Sequence, residues 1–119
     1  MNEVNISATL SAQKNNAAIS RSEQGSLDMA GRQMTQLTQP LTAGVWTLVD
    51  IGKITGAPSK LLVKNLDATN YVELAADAAG ATITDKLLPD DFVLRSPVAV
   101  IYARAHAADC DLYVTATEA

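Results

Sequence analysis

The sequence predicts an all-β chain: an antiparallel β-sandwich, jelly-roll-like, with an extended polar segment at its N-terminal end. Three observations carry this. About eight to ten short runs rich in β-branched and aromatic residues follow one another closely, with turn signals between them. Several of these runs alternate apolar and polar side chains with a period of two, as a half-buried strand does. No stretch repeats apolar residues at helical spacing over a convincing length. The best candidate, Asp28 to Gln36, is interrupted by Gly31.

The elements follow in order. Val4, Ile6, Ala8 and Leu10 alternate with Asn5, Ser7, Thr9 and Ser11, which reads as a strand with one apolar face. Lys14-Asn15-Asn16 is a turn, Ala17 to Ser22 a short returning strand, and Gln24-Gly25-Ser26 a break. Met34 to Thr38 extends again and Pro40 ends it. Residues 1–44 contain none of the large aromatics Trp46, Tyr71, Phe92, Tyr102 and Tyr113. Two arrangements fit this first segment: edge strands of the sandwich, or an arm exchanged with a neighbouring subunit. The expected division is therefore an N-terminal strand or arm segment, 1–44, and a β-sandwich core, 45–119.

Val45 to Ile51 is apolar on both faces and reads as a central strand, with Trp46 in the core. The stretch Lys60 to Ala76 reads as a hairpin around which the sheets are organised. Leu61, Leu62 and Val63 lie on one strand and Tyr71, Val72 and Leu74 on the next, joined through Asn65, Asp67 and Asn70. Asp77 to Ala81 is a small-residue loop, and Ile83 begins a weak extended piece. Pro89-Asp90-Asp91 is a turn leading into the strand Phe92 to Arg95. Val98 to Ala105 is the strongest β run, and Leu112, Val114 and Ala116 mark the last strand.

Bulk composition narrows the function. With 119 residues the chain suits one domain, large enough to bury roughly two-thirds of its surface. Its charged fraction of 18% is below the roughly 25% usual for soluble domains. Net charge is −4, and the nine Lys and Arg are scattered, so nucleic acid is not an expected partner. No apolar run reaches the ~18 residues that cross a bilayer, so no membrane partner is expected, and the start lacks a signal-peptide pattern. One cysteine, Cys110, rules out an intrachain disulfide.

Reactive groups are few. His106 is the single histidine and reads as a loop residue. Cys110 reads as part of a tight Asp109-Cys110-Asp111 turn, whose carboxylates oppose thiolate formation. One His and one Cys do not make a zinc site. The carboxylates Asp67, Glu73, Asp77, Asp85, Asp90 and Asp91 fall near turns without EF-hand spacing. Gly52 and Gly56 form no phosphate loop. Accordingly no catalytic, cofactor-binding or metal residues are assigned, no cofactor is expected, and the chain is read as a non-enzyme. A carbohydrate-binding sandwich is the alternative of a different class; it requires Trp46, Tyr71 and Tyr102 to line one exposed face.

Four short stretches carry a resemblance. They are Lys64-Asn65-Leu66-Asp67-Ala68-Thr69-Asn70-Tyr71-Val72, Leu87-Leu88-Pro89-Asp90-Asp91-Phe92-Val93-Leu94, Ile101-Tyr102-Ala103-Arg104-Ala105 and Leu112-Tyr113-Val114-Thr115-Ala116. In this order they resemble small β-sandwich structural proteins of tailed-bacteriophage virions, over roughly residues 45–118. The resemblance implies a capsid decoration or cement protein, or a tail or head-tail connector component. It also implies synthesis in the host cytoplasm, residence in the virion and the major capsid protein or other virion proteins as partners. A homo-oligomer is the expected state, with a trimer among the forms it can take.

Overall fold

The computed structural model describes residues 3–29 and 31–118. Among these, every regular element is a strand, and all strand pairings within the sheets are antiparallel. The chain divides into two units at residues 30 and 31. The expected boundary at 44 and 45 is corrected accordingly, because the strand Met34–Leu41 is hydrogen-bonded into the larger unit.

The first unit is a two-stranded ribbon of β1 (Val4–Lys14) and β2 (Ala17–Leu27), paired without interruption from Val4↔Leu27 to Lys14↔Ala17. The reversal takes two residues, and Asn15 supplies it with a left-handed φ of 55°. Gln24-Gly25-Ser26 does not break β2 as expected, since Gly25 pairs directly with Ile6. A ribbon edge has room for a glycine with no side chain to pack.

The second unit has eight strands in two sheets. They are β3 (Met34–Leu41), β4 (Thr47–Leu48), β5 (Lys60–Asn65), β6 (Val72–Ala75), β7 (Ile83–Leu87), β8 (Phe92–Arg95), β9 (Tyr102–Ala105) and β10 (Cys110–Thr117). The first sheet runs β3-β10-β5-β8 and the second β4-β9-β6-β7. Successive strands change sheet at every step except β6 to β7, which is the alternation of a jelly roll. The fold class read from the sequence therefore holds.

Four local readings do not. Lys60 to Ala76 is no hairpin: β5 and β6 lie in different sheets, and the Asn65–Asn70 turn carries the chain from one to the other. Val45 to Ile51 is not central; only Thr47–Leu48 forms a strand, and it pairs with β9 alone at a sheet edge. Val98 lies outside any strand and is fully exposed, so β9 begins four residues later than expected. Pro40, expected to end its strand, is paired with Asp111 inside β3. This is permitted because β3 is an edge and its missing N–H costs no ladder bond on the free side.

The inner faces close on Leu41, Leu61, Val63, Leu112 and Val114 from the first sheet and Val72, Leu74, Leu87, Ala103 and Ala105 from the second, all buried. Alternation produces this directly: β10 reads buried at Cys110, Leu112, Val114 and Ala116, with Asp111 and Tyr113 exposed between. Alanines opposite leucines let the two sheets approach, as interdigitated cores require.

One polar side chain is enclosed with them. Asn65 has no exposed surface. Its Nδ2 donates to the carbonyls of Asn70 (2.9 Å), Leu87 (3.1 Å) and Leu88 (3.2 Å), and its Oδ1 accepts from Asp67 N–H (2.9 Å). This side chain thereby ties the crossing between sheets to the end of β7. Asp67 continues the turn, accepting the N–H of Asn70 and of Thr69, which hold its carboxyl below the usual carboxylate range.

Gly80, in the β6–β7 turn, has a φ of 71°, and a Cβ there would overlap the indole of Trp46. Gly44 has the same hand, φ 73°, with open space where a Cβ would go. Gly80→Ala is therefore expected to lower stability by about 2–3 kcal/mol, and Gly44→Ala by about 1 kcal/mol. Because Trp46 is the single tryptophan, a red shift of intrinsic fluorescence in the first variant and none in the second checks the assignment.

Candidate interaction surfaces

The two outer faces of the sandwich differ in chemistry. On the first sheet, parity turns two cross-strand rows outward, Gln36-Thr115-Leu62-Leu94 and Thr38-Tyr113-Lys64-Phe92, with Met34 beyond them opposite Thr117. Phe92 is 60% exposed, Met34 65% and Tyr113 42%. Gln36, Leu62, Lys64, Phe92, Tyr113 and Thr115 surround a shallow depression on this face. Lys64, between Tyr113 and Phe92 in register, pairs with Asp90 at 3.1 Å. Exposed large apolar side chains gathered round a depression mark a candidate interaction surface.

The outer face of the second sheet is a polar and aromatic row. Arg104 donates to Glu73 at 2.6 Å, directly across from it in register. The guanidinium carbon of Arg104 also lies 4.6 Å from the centre of the Trp46 ring. His106 stacks on Tyr71 with ring centres 4.2 Å apart, and Lys86 Nζ lies 4.2 Å from the same ring. Trp46 is thus half-buried against Gly80 and Arg104 rather than in the core where the sequence placed it. Trp46 and Tyr71 do not offer bare ring faces to a sugar, since protein groups already lie against them. The sequence did not signal these coverings, because Arg104 meets Trp46 only through the β4–β9 register and His106 meets Tyr71 only through the β9–β6 one.

The remaining candidate groups are engaged in the fold. Cys110 opens β10 and is buried, rather than lying in a turn. Burial pushes its thiol up from the ordinary value, and Asp67, Asp109 and Asp111 add to this. Asp109 accepts the Ala43 N–H, and Asp77 accepts the Thr82 N–H. Asp85 pairs with Arg95, Asp91 caps the Phe92 N–H, and Asp90 occupies a left-handed turn position. Among the described residues no three His, Cys, Asp or Glu side chains are grouped to hold a metal ion.

The ribbon is a third surface. One face carries Val4, Ile6, Ala8, Leu10 and Ala12 opposite Leu27, Gly25, Glu23, Arg21 and Ile19. The other carries Ser7, Thr9 and Ser11 opposite Gln24, Ser22 and Ser20, with Thr9 and Ser22 hydroxyls 2.9 Å apart. Almost every ribbon residue beyond its base is exposed. No family model, curated protein or solved structure matches this chain.

Proposed function

We propose that this chain is a structural virion protein of a tailed bacteriophage, a capsid decoration protein that binds the major capsid shell through its sheet surfaces and its N-terminal arm. The observation that carries the reading is the arm. Two 11-residue strands stand exposed, β1 with an apolar stripe at Ala8, Leu10 and Ala12, and a lone two-stranded hairpin is marginal in water. Such an element is stable when another polypeptide covers it. The uncovered apolar face of the first sheet, Leu62, Phe92, Leu94 and Tyr113, supplies a second contact of the same kind. The jelly roll is compatible with this role by analogy only, because the same fold serves unrelated functions.

Immunogold labelling of purified particles tests the reading. Gold distributed over the capsid supports it; gold confined to the tail or the head-tail junction moves the protein to the connector alternative; unlabelled particles overturn both. Deleting residues 1–30 is expected to weaken shell binding by about 100-fold or more, through lost multivalency, while the sandwich stays folded. Co-sedimentation with stripped capsids measures it.

A further inference from the structure

We propose that the Arg32–Gln33 peptide bond is a guarded cleavage site for a protease that cuts after arginine, and that the Glu118 carboxylate is the guard. This goes beyond the virion reading and does not depend on it. Of the nine Lys and Arg, all of them among the described residues, only Arg32 and Lys53 lie outside the strands. Proteases act on segments free of regular structure, and a residue paired in a ladder is withheld from them. Lys53 is withheld in another way: Ile54, which follows it, is buried and donates its N–H to the Ile51 carbonyl. Arg32 and Gln33 are both exposed, immediately before β3 begins at Met34.

One side chain closes this segment. Oε2 of Glu118 accepts the N–H of Arg32 at 2.8 Å and that of Gln33 at 3.0 Å, while the Glu118 N–H donates to the Gln33 carbonyl at 2.9 Å. The Gln33 N–H belongs to the very bond to be cut. A protease holds its substrate as an extended strand through such backbone groups, so Glu118 and the enzyme exclude each other. Gly31 makes room for the guard, because a Cβ there would overlap the Glu118 carboxylate. The bonds are charge-assisted, but they lie at the surface, where water competes for the same groups. The guard therefore opens far more often than the sandwich unfolds. In the open state water adds across the Arg32–Gln33 bond and its C–N bond breaks, leaving a carboxylate on Arg32 and an ammonium on Gln33. One product carries both ribbon strands and the other all eight strands of the sandwich, so the arm is parted without a strand being cut.

Brief digestion of the full chain with trypsin, with fragments identified by mass, tests this. Cutting after Arg32 is expected to be about 10-fold or more faster in Glu118→Ala than in the parent chain. Gly31→Ala should act in the same direction, since its methyl drives the Glu118 side chain aside. Glu118→Gln keeps a carbonyl oxygen for the same two donors and should stay within about 3-fold of the parent. Cutting after Lys53 is the internal reference and should not change, nor should the thermal transition of the sandwich. Equal rates at Arg32 in the parent and Glu118→Ala overturn the proposal. A rise after Lys53 that matches the rise after Arg32 overturns it too, because the whole fold has then loosened rather than the guard.

Discussion

Replacing Asn65 with Asp, a change of NH₂ to oxygen, is expected to leave the sandwich largely unfolded at room temperature. The Nδ2 of Asn65 faces three carbonyl oxygens, those of Asn70, Leu87 and Leu88, in a site with no exposed surface. An ionised Asp brings a buried charge against three acceptors, and a protonated one satisfies a single carbonyl. Asn65→Leu removes the clash but strands the Asp67 N–H and the same carbonyls, each costing about 1–3 kcal/mol when buried. The expected losses are about 3–5 kcal/mol for Leu and more for Asp, against a total of roughly 5–15 kcal/mol for a domain. Urea melts with unchanged slope measure the difference. Equal stability of Asn65→Asp and the parent chain refutes the role given to this side chain.

Leu74→Ala is expected to cost about 2–5 kcal/mol. Leu74 lies in β6 between β9 and β7, has no exposed surface, and faces the first sheet. Its neighbours in register, Ala103 and Asp85, offer little bulk to fill the space. The loss should therefore fall in the upper half of that range. Phe92→Ala provides the contrast: a larger side chain is removed, but from a position 60% exposed, and the change should stay within about 0.5 kcal/mol. Under the proposed function its effect is expected on shell binding instead. Thermal and urea denaturation separate the two variants.

These two sites show how far the sequence speaks. Leu112, Val114 and Ala116 alternate cleanly, and β10 obeys them residue by residue. The two-residue Asn turn and the apolar stripe likewise foretold the first ribbon. The Asn65–Asn70 turn did not announce its topology. Asx-rich reversals serve a hairpin and a crossing between sheets equally well, and the deciding contact is β10 taking the place beside β5, nearly fifty residues away. The length of β2 was missed because Gly25 normally breaks strands, whereas an open ribbon asks little of it. The outer faces were partly legible, since Tyr71 and Glu73 share a side by parity alone. What was hidden is that Arg104 and His106 come to lie on Trp46 and Tyr71, which depends on cross-strand register rather than local pattern.

The position of β10 also governs how the molecule is made. It lies between β3 and β5, which never touch as strands, and it follows all the others in the chain. During synthesis β3 therefore waits unpaired, and β5, with β8 on one side, keeps its other edge open until the final strand emerges between them. Nascent chains of this kind are vulnerable to mutual aggregation. Translation stalling shortly before residue 110 should yield insoluble product, whereas both strands of the ribbon, β1 and β2, have been made long before.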